Sequence, residues 1–123
     1  MLEDSTGIVL ERAIQGSYLR HKAILNNIAN INTPNYKRLD VDFKSSLNNA
    51  AKNLDSGKEN EVSLAAPEIT ESNDPSTRLD GNNVDIDREM TTLAQNSLEY
   101  NAYLTLISKK MKTLKNVITE GKK

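Results

Sequence analysis

The residues from Ile86 to Ile118 constrain this chain most, because their side chains repeat at spacings of four and three for more than four heptads without a break. The positions are Ile86, Met90, Leu93, Ser97, Tyr100, Leu104, Ile107, Met111, Leu114 and Ile118, and nine of these ten are apolar or aromatic. A stripe this narrow is a coiled-coil seam, made for another helix rather than for the broad surface of a globular core. It predicts one long helix with Asp85 as N-cap, Asp87 and Glu89 in the first turn, Lys109, Lys110, Lys112 and Lys115 in the last two turns, and Gly121 as its stop. Burying such a seam does not by itself offset the entropy of ordering the helix, so it needs a second helix and then further subunits.

The second helix is read over residues 8–31, where Leu10, Ile14, Tyr18, Ile24, Leu25, Ile28 and Ile31 trace an apolar stripe with Ala13 and His21 between them. Ser5 or Thr6 supplies its N-cap, and Glu3 and Asp4 suit the positive end of its dipole. Gly16 weakens it, and could serve to let a partner backbone come close. Pro34 stops the helix within Asn30-Ile31-Asn32-Thr33-Pro34-Asn35-Tyr36, and a tight turn is expected at Pro34 and Asn35. Beyond it, Leu39, Val41 and Phe43 alternate as a short extended segment packed on the helices.

The middle differs in kind. Net charge is +2 over residues 1–38, −7 over 39–89 and +4 over 90–123, so the −1 of the whole chain conceals an acidic, water-facing centre. Residues 44–61 are either a short frayed helix or nothing fixed. Residues 62–84, with Pro67, Pro75, Gly81 and isolated Leu64, Ile69 and Leu79, read as loop. With one Phe, no Trp and 37% apolar residues in 123, the chain is a single domain at most, without a large compact core. The fold expected is mainly α: two long terminal helices packed as an antiparallel coiled-coil hairpin around an irregular, partly β, polar middle. Segments 1–38 and 85–123 together make the helical unit, and 39–84 the acidic middle.

Little here supports chemistry. Without cysteine there is no disulfide or thiolate, which leaves the redox compartment open. The amino terminus is acidic where a secretory signal is basic, and no window reaches membrane-spanning length, so export would use a route without a cleaved signal. His21 stands alone, with no partner at ligand spacing, and reads as a packed residue. Asp80-Gly81-Asn82-Asn83-Val84-Asp85 starts like a calcium loop but has Val84 and Asp85 where the pattern needs a ligand and a glycine, so it reads as a turn leading into an N-cap. There is no phosphate-binding glycine loop and no nucleophile elbow, and no segment is basic enough for a nucleic-acid surface. No enzyme activity, metal, cofactor, nucleic acid or small-molecule substrate is expected.

The stretch from Asn27 to Lys37 holds more amides and hydroxyls than a helix end needs. A proline-stopped, Asn-rich helix terminus accounts for it as well as a set of cross-links to a neighbouring chain does. Here the sequence resembles the bacterial flagellar rod and hook proteins: Asn27-Ile28-Ala29-Asn30, then Asn32-Thr33-Pro34, then Tyr36-Lys37-Arg38 match their amino-terminal motif, and Arg20 fits seven residues before it. Gly81-Asn82-Asn83-Val84-Asp85-Ile86-Asp87-Arg88-Glu89-Met90, with Leu93-Ala94, Asn96 and Tyr100, is similar to the second-helix start of a proximal-rod member of that family. Asn35 stands where the family usually has glycine, and asparagine tolerates the left-handed conformation the turn requires.

The resemblance implies a structural subunit of the flagellar basal body, exported by the flagellar type III apparatus without a cleaved signal and located in the rod on the periplasmic side of the cytoplasmic membrane. It implies as partners other copies of the chain, other rod subunits, the export apparatus, the rod-base adaptor FliE and the membrane ring. It assigns the turn Arg20, Asn27, Ile28, Ala29, Asn30, Asn32, Thr33, Pro34, Tyr36 and Lys37 to assembly, beside the packing seams of Leu10, Ile14, Tyr18, Leu25 and Ile28 and of the last helix. A soluble coiled-coil adaptor or chaperone-like module is the alternative. Membrane-surface binding through Lys109 to Lys115 is a third class.

Overall fold

The computed structural model describes residues 5–57 and 67–121. Five elements follow in order: α1 (Ser5–Ala29), β1 (Leu39–Val41), α2 (Lys44–Asp55), β2 (Ile69–Glu71) and α3 (Ile86–Glu120). The architecture is the expected mainly helical hairpin. Near one end of it the Asn27 side chain meets Glu89, further along the Asn96 amide reaches the Ser17 carbonyl, and Ile107 lies beside Gly7 and Ile14, so α1 and α3 run antiparallel.

Asp85 caps α3 as its residue type requires: its backbone is extended and its carboxylate accepts from the N–H groups of Asp87 and Arg88. Ser5 and Thr6, expected to cap α1, are instead already helical, and Glu3 and Asp4 lie outside the described residues. The lysines of α3 also sit differently from the expectation. The helix runs on to Glu120 with no basic side chain in its last turn, so Lys109 to Lys115 are too far back for the helix dipole to account for them.

The described parts of the middle, 39–57 and 67–84, are more ordered than their composition suggests. The segment after Lys44 takes the helical alternative as α2. A strand also forms where only loop was expected: β2 pairs antiparallel with β1, Leu39 opposite Glu71 and Val41 opposite Ile69. Leu64 lies outside the described residues. Val41, Phe43 and Ala23 form a small buried cluster, flanked by Leu19, Leu39 and Leu47. Gly16 makes that cluster possible, since a Cβ there would lie 2.5 Å from the Phe43 ring. It admits an aromatic ring rather than a partner backbone.

The seam departs from expectation in one systematic way. Leu93, Ser97, Tyr100, Ile107 and Leu114 are half-buried. The second row is displaced by one residue: Glu89 and Asn96 are buried and Tyr103 half-buried, while the expected Met90, Leu104, Met111 and Ile118 are 51, 37, 50 and 53% exposed. Ile86, at the head of the seam, is also exposed. On α1, Ala13, Gly16, Ser17, Ala23, Ile24 and Asn27 are buried, Leu10, Ile14 and Ile28 half-buried, and Tyr18 and Leu25 exposed. The buried face of α1 is thus made mostly of small and polar residues.

Candidate functional site

The two sequence motifs, 45 to 60 residues apart in the chain, meet at one end of the hairpin and form a polar neck. Proline first sets its geometry. The Tyr36 N–H donates to the Thr33 carbonyl across Pro34 and Asn35, and Asn35 has φ +60°, which is the arrangement of a turn that needs a left-handed third residue. Asn35 thus adopts the left-handed conformation that the turn requires. Its own N–H donates to the Asp80 carbonyl at 2.8 Å, and Asn83 N–H to the Tyr36 carbonyl, which lays the turn against the loop before α3.

Asn27, wholly buried, acts as a surrogate backbone. Its Nδ2 donates to the Leu39 carbonyl at 2.9 Å and its Oδ1 accepts from the Leu39 N–H at 2.8 Å, pairing the end of α1 with β1 as a strand neighbour would. The same Oδ1 accepts from the Tyr36 hydroxyl at 3.0 Å, and Nδ2 also donates to Glu89 at 3.2 Å. Burial first, then the charges of Glu89 and Glu71, push the Tyr36 phenol above its ordinary range.

Asn82 does the corresponding work from the other motif. It is wholly buried, and its Nδ2 donates to the carbonyls of Asn30 at 2.9 Å, Ile31 at 3.1 Å and Thr33 at 2.9 Å, satisfying groups that the end of α1 leaves open. Its Oδ1 accepts from the Val84 N–H at 2.8 Å. Arg78 also donates to the Ile31 carbonyl and Lys37 to the Gly81 carbonyl. Asp80, the first residue of the apparent calcium loop, is taken up by Arg78 at 3.0 Å and the Asn82 N–H at 3.1 Å. Gly81 has φ +80°, as that tight turn requires.

Between these lies an ionic group whose Arg38 and Glu89 are buried and whose Asp40, Asp74 and Arg88 reach solvent. Arg38 stands 3.7 Å from Glu89, 3.4 Å from Asp40 and 3.6 Å from Asp74, and its N–H donates to Asn83 Oδ1 at 2.6 Å. Asp74 also pairs with Arg88 at 3.1 Å. The Ser72 hydroxyl first, and the Arg88 and Arg38 guanidiniums after it, hold the Asp74 carboxyl below the usual range.

The structure thus gathers Asn27, Asn30, Thr33, Tyr36 and Lys37 from the expected set. Ile28 is half-buried beside them, Ala29, Asn32 and Pro34 are exposed, and Arg20 stays two turns away, half-buried on α1. Asn27, Asn30, Asn82 and Asn83 all make side-chain hydrogen bonds within the chain. Arg38, Asn82, Asn83, Glu89 and Asn96 are the residues that sequence reasoning left out of the set. A signal existed for Glu89 and Asn96, which recur seven residues apart beside the seam. Among the described residues no group of His, Cys, Asp and Glu could hold a metal, and no described helix is long and apolar enough to cross a membrane.

The fold and site define a class of mainly helical subunit: an antiparallel hairpin closed at one end by a polar neck, with an apolar row exposed along its longer helix. No family model matches the chain. It is 40% identical over 119 residues to the flagellar basal body rod protein FlgB of Bacillus subtilis, covering 92% of each chain. It is 34% identical to FlgB of Salmonella typhimurium, over 83% of this chain and 84% of that one, and 33% identical to FlgB of Aquifex aeolicus, over 88% of each. The chain belongs to the FlgB family of flagellar basal body rod proteins.

Proposed function

We propose that this chain is a structural, non-enzymatic subunit of the flagellar rod, in which α1 and α3 form the assembling unit and residues 39–84 face outward. The observation that carries this is the row Met90, Leu104, Met111 and Ile118, about half exposed in the single chain and spaced for another helix. Neighbouring rod subunits cover it, and a repeated head-to-tail contact of this kind gives a tube rather than a closed dimer. The proximal rod, the adaptor FliE, the membrane ring and the type III export apparatus are the partners that the family resemblance supports. The turn set from Asn27 to Lys37 acts by holding the neck, and so the angle between helix pair and middle segment.

The test is Met111→Asp, at an exposed position where the fold of the single chain is indifferent to the change. Rod assembly and swimming are expected to be lost while helix content is kept; normal swimming refutes the reading. The same exposed row favours one rival, a soluble coiled-coil adaptor, in which another helix rather than a rod neighbour covers it. That rival predicts a helical dimer whose circular dichroism persists on dilution and a Met111→Asp variant that still swims.

A further inference from the structure

The apolar row of α3 has a better place to go than solvent. Turning the helix by about 50°, half a residue position, would keep Leu93, Tyr100 and Ile107 inward and bring Met90, Ser97, Leu104 and Met111 against α1 in place of Glu89, Asn96, Tyr103 and Lys110, and burying three exposed apolar side chains is favourable. Something holds the helix in the less apolar setting.

We propose that Asn96, with Ser17 facing it, and Glu89, with Asn27, are specificity-determining positioning residues that set the rotation of α3 and so keep its apolar row outward. Asn96 and Glu89 are the buried residues of α3, at 2 and 1% exposure, and both bond across to α1: Asn96 Nδ2 to the Ser17 carbonyl at 2.9 Å, and Glu89 Oε2 from Asn27. Neither contact is optimised for stability. Asn96 Oδ1, Ser17 Oγ and Glu89 Oε1 are buried without a hydrogen-bond partner, and buried polar atoms left so are unfavourable. Helix pairs keep such residues in a seam where they fix register and face at some loss of stability. Here the loss secures the orientation: an apolar seam between α1 and α3 would be tighter and would bury the surface that a neighbour needs. Why the row must stay outward rests on the rod reading; that the polar residues hold it there does not.

The full chain offers a direct readout, since it has three methionines and no cysteine to compete for oxidant. Asn96→Leu and the double variant Ser17→Ala/Asn96→Leu are compared with the parent chain for peroxide oxidation of Met90 and Met111, read by mass spectrometry where circular dichroism reports helix. The expected result is a several-fold slowing of oxidation at both positions, a raised melting temperature and impaired swimming. Unchanged oxidation at undiminished helix content overturns the proposal. Loss of helix in both variants overturns it too, because an inward apolar row should then have been a poorer arrangement. Normal assembly of Met111→Asp would refute the rod reading alone and leave the oxidation result to decide the role of Asn96.

Discussion

Asn82→Ala against Asn82→Asp separates the neck from an ordinary polar loop. Asn82 donates to three carbonyls and accepts from one buried N–H. The carbonyls keep second partners: Thr33 N–H for Asn30, Arg78 for Ile31 and Tyr36 N–H for Thr33. Their loss is therefore the modest net value of a replaced hydrogen bond, about 0.5–1 kcal/mol each. The Val84 N–H has no such reserve and is left buried and unpaired, for about 1–3 kcal/mol. Asn82→Ala should cost about 2.5–6 kcal/mol in all. Asn82→Asp keeps the shape and the acceptor for Val84, yet should be the worse change at neutral pH. It sets a carboxylate against three carbonyl oxygens at the negative end of α1, in a site with no solvent exposure. The introduced carboxyl would have a folded-state pKa above its unfolded value of about 4, so its penalty is present above that value and fades as pH falls through it. Urea unfolding followed by circular dichroism at neutral and mildly acid pH measures both effects. An Asn82→Asp variant milder than Asn82→Ala at neutral pH, or a penalty indifferent to pH, refutes the account of the neck.

Other outcomes follow from single contacts. Gly16→Ala should destabilise by about 1–2 kcal/mol, because overpacking against Phe43 outweighs the roughly 1 kcal/mol that alanine gains in a helix; in a Phe43→Leu background the sign should move toward stabilisation, as thermal melts of the four variants would show. Arg38→Met should cost about 3 kcal/mol in urea unfolding by leaving Glu89 buried with only Asn27 as partner, which is the usual consequence of breaking a buried pair. Asp74, held low, contributes stability that is present above the unfolded carboxyl value and lost as pH falls through its folded one, so Asp74→Asn should flatten the acid limb of a pH–stability curve. Tyr36, held high, works at the other end: above about pH 10 the unfolded chain gives up the phenolic proton first, so stability falls as pH rises, and Tyr36→Phe should remove that alkaline slope.

The neck also explains how segment 67–85 is held in so polar a chain. Segment 67–85 buries few apolar side chains, Val84 chief among them, yet it lies on a surface whose open backbone groups it satisfies one by one. Hydrogen bonding of orphan helix-end carbonyls, rather than apolar burial, is what places it.

Local physics was legible without coordinates. The four–three repeat dictated α3, Asp85 its start, and Pro34 with Asn35 the turn, because each acts on its own backbone within a few residues; α1 stops at Ala29, earlier than the Ile31 expected. The tertiary structure alone decided the face of α3, the pairing of β2 with β1, and the union of Asn27 and Arg38 with Asn82, Asn83 and Glu89. Those outcomes depend on hydrogen bonds between residues dozens of positions apart, and a polar residue in a seam leaves no trace in an apolar period. An apolar repeat marks where a helix can be buried; the tertiary structure alone decides which of two neighbouring rows is buried and which stays exposed.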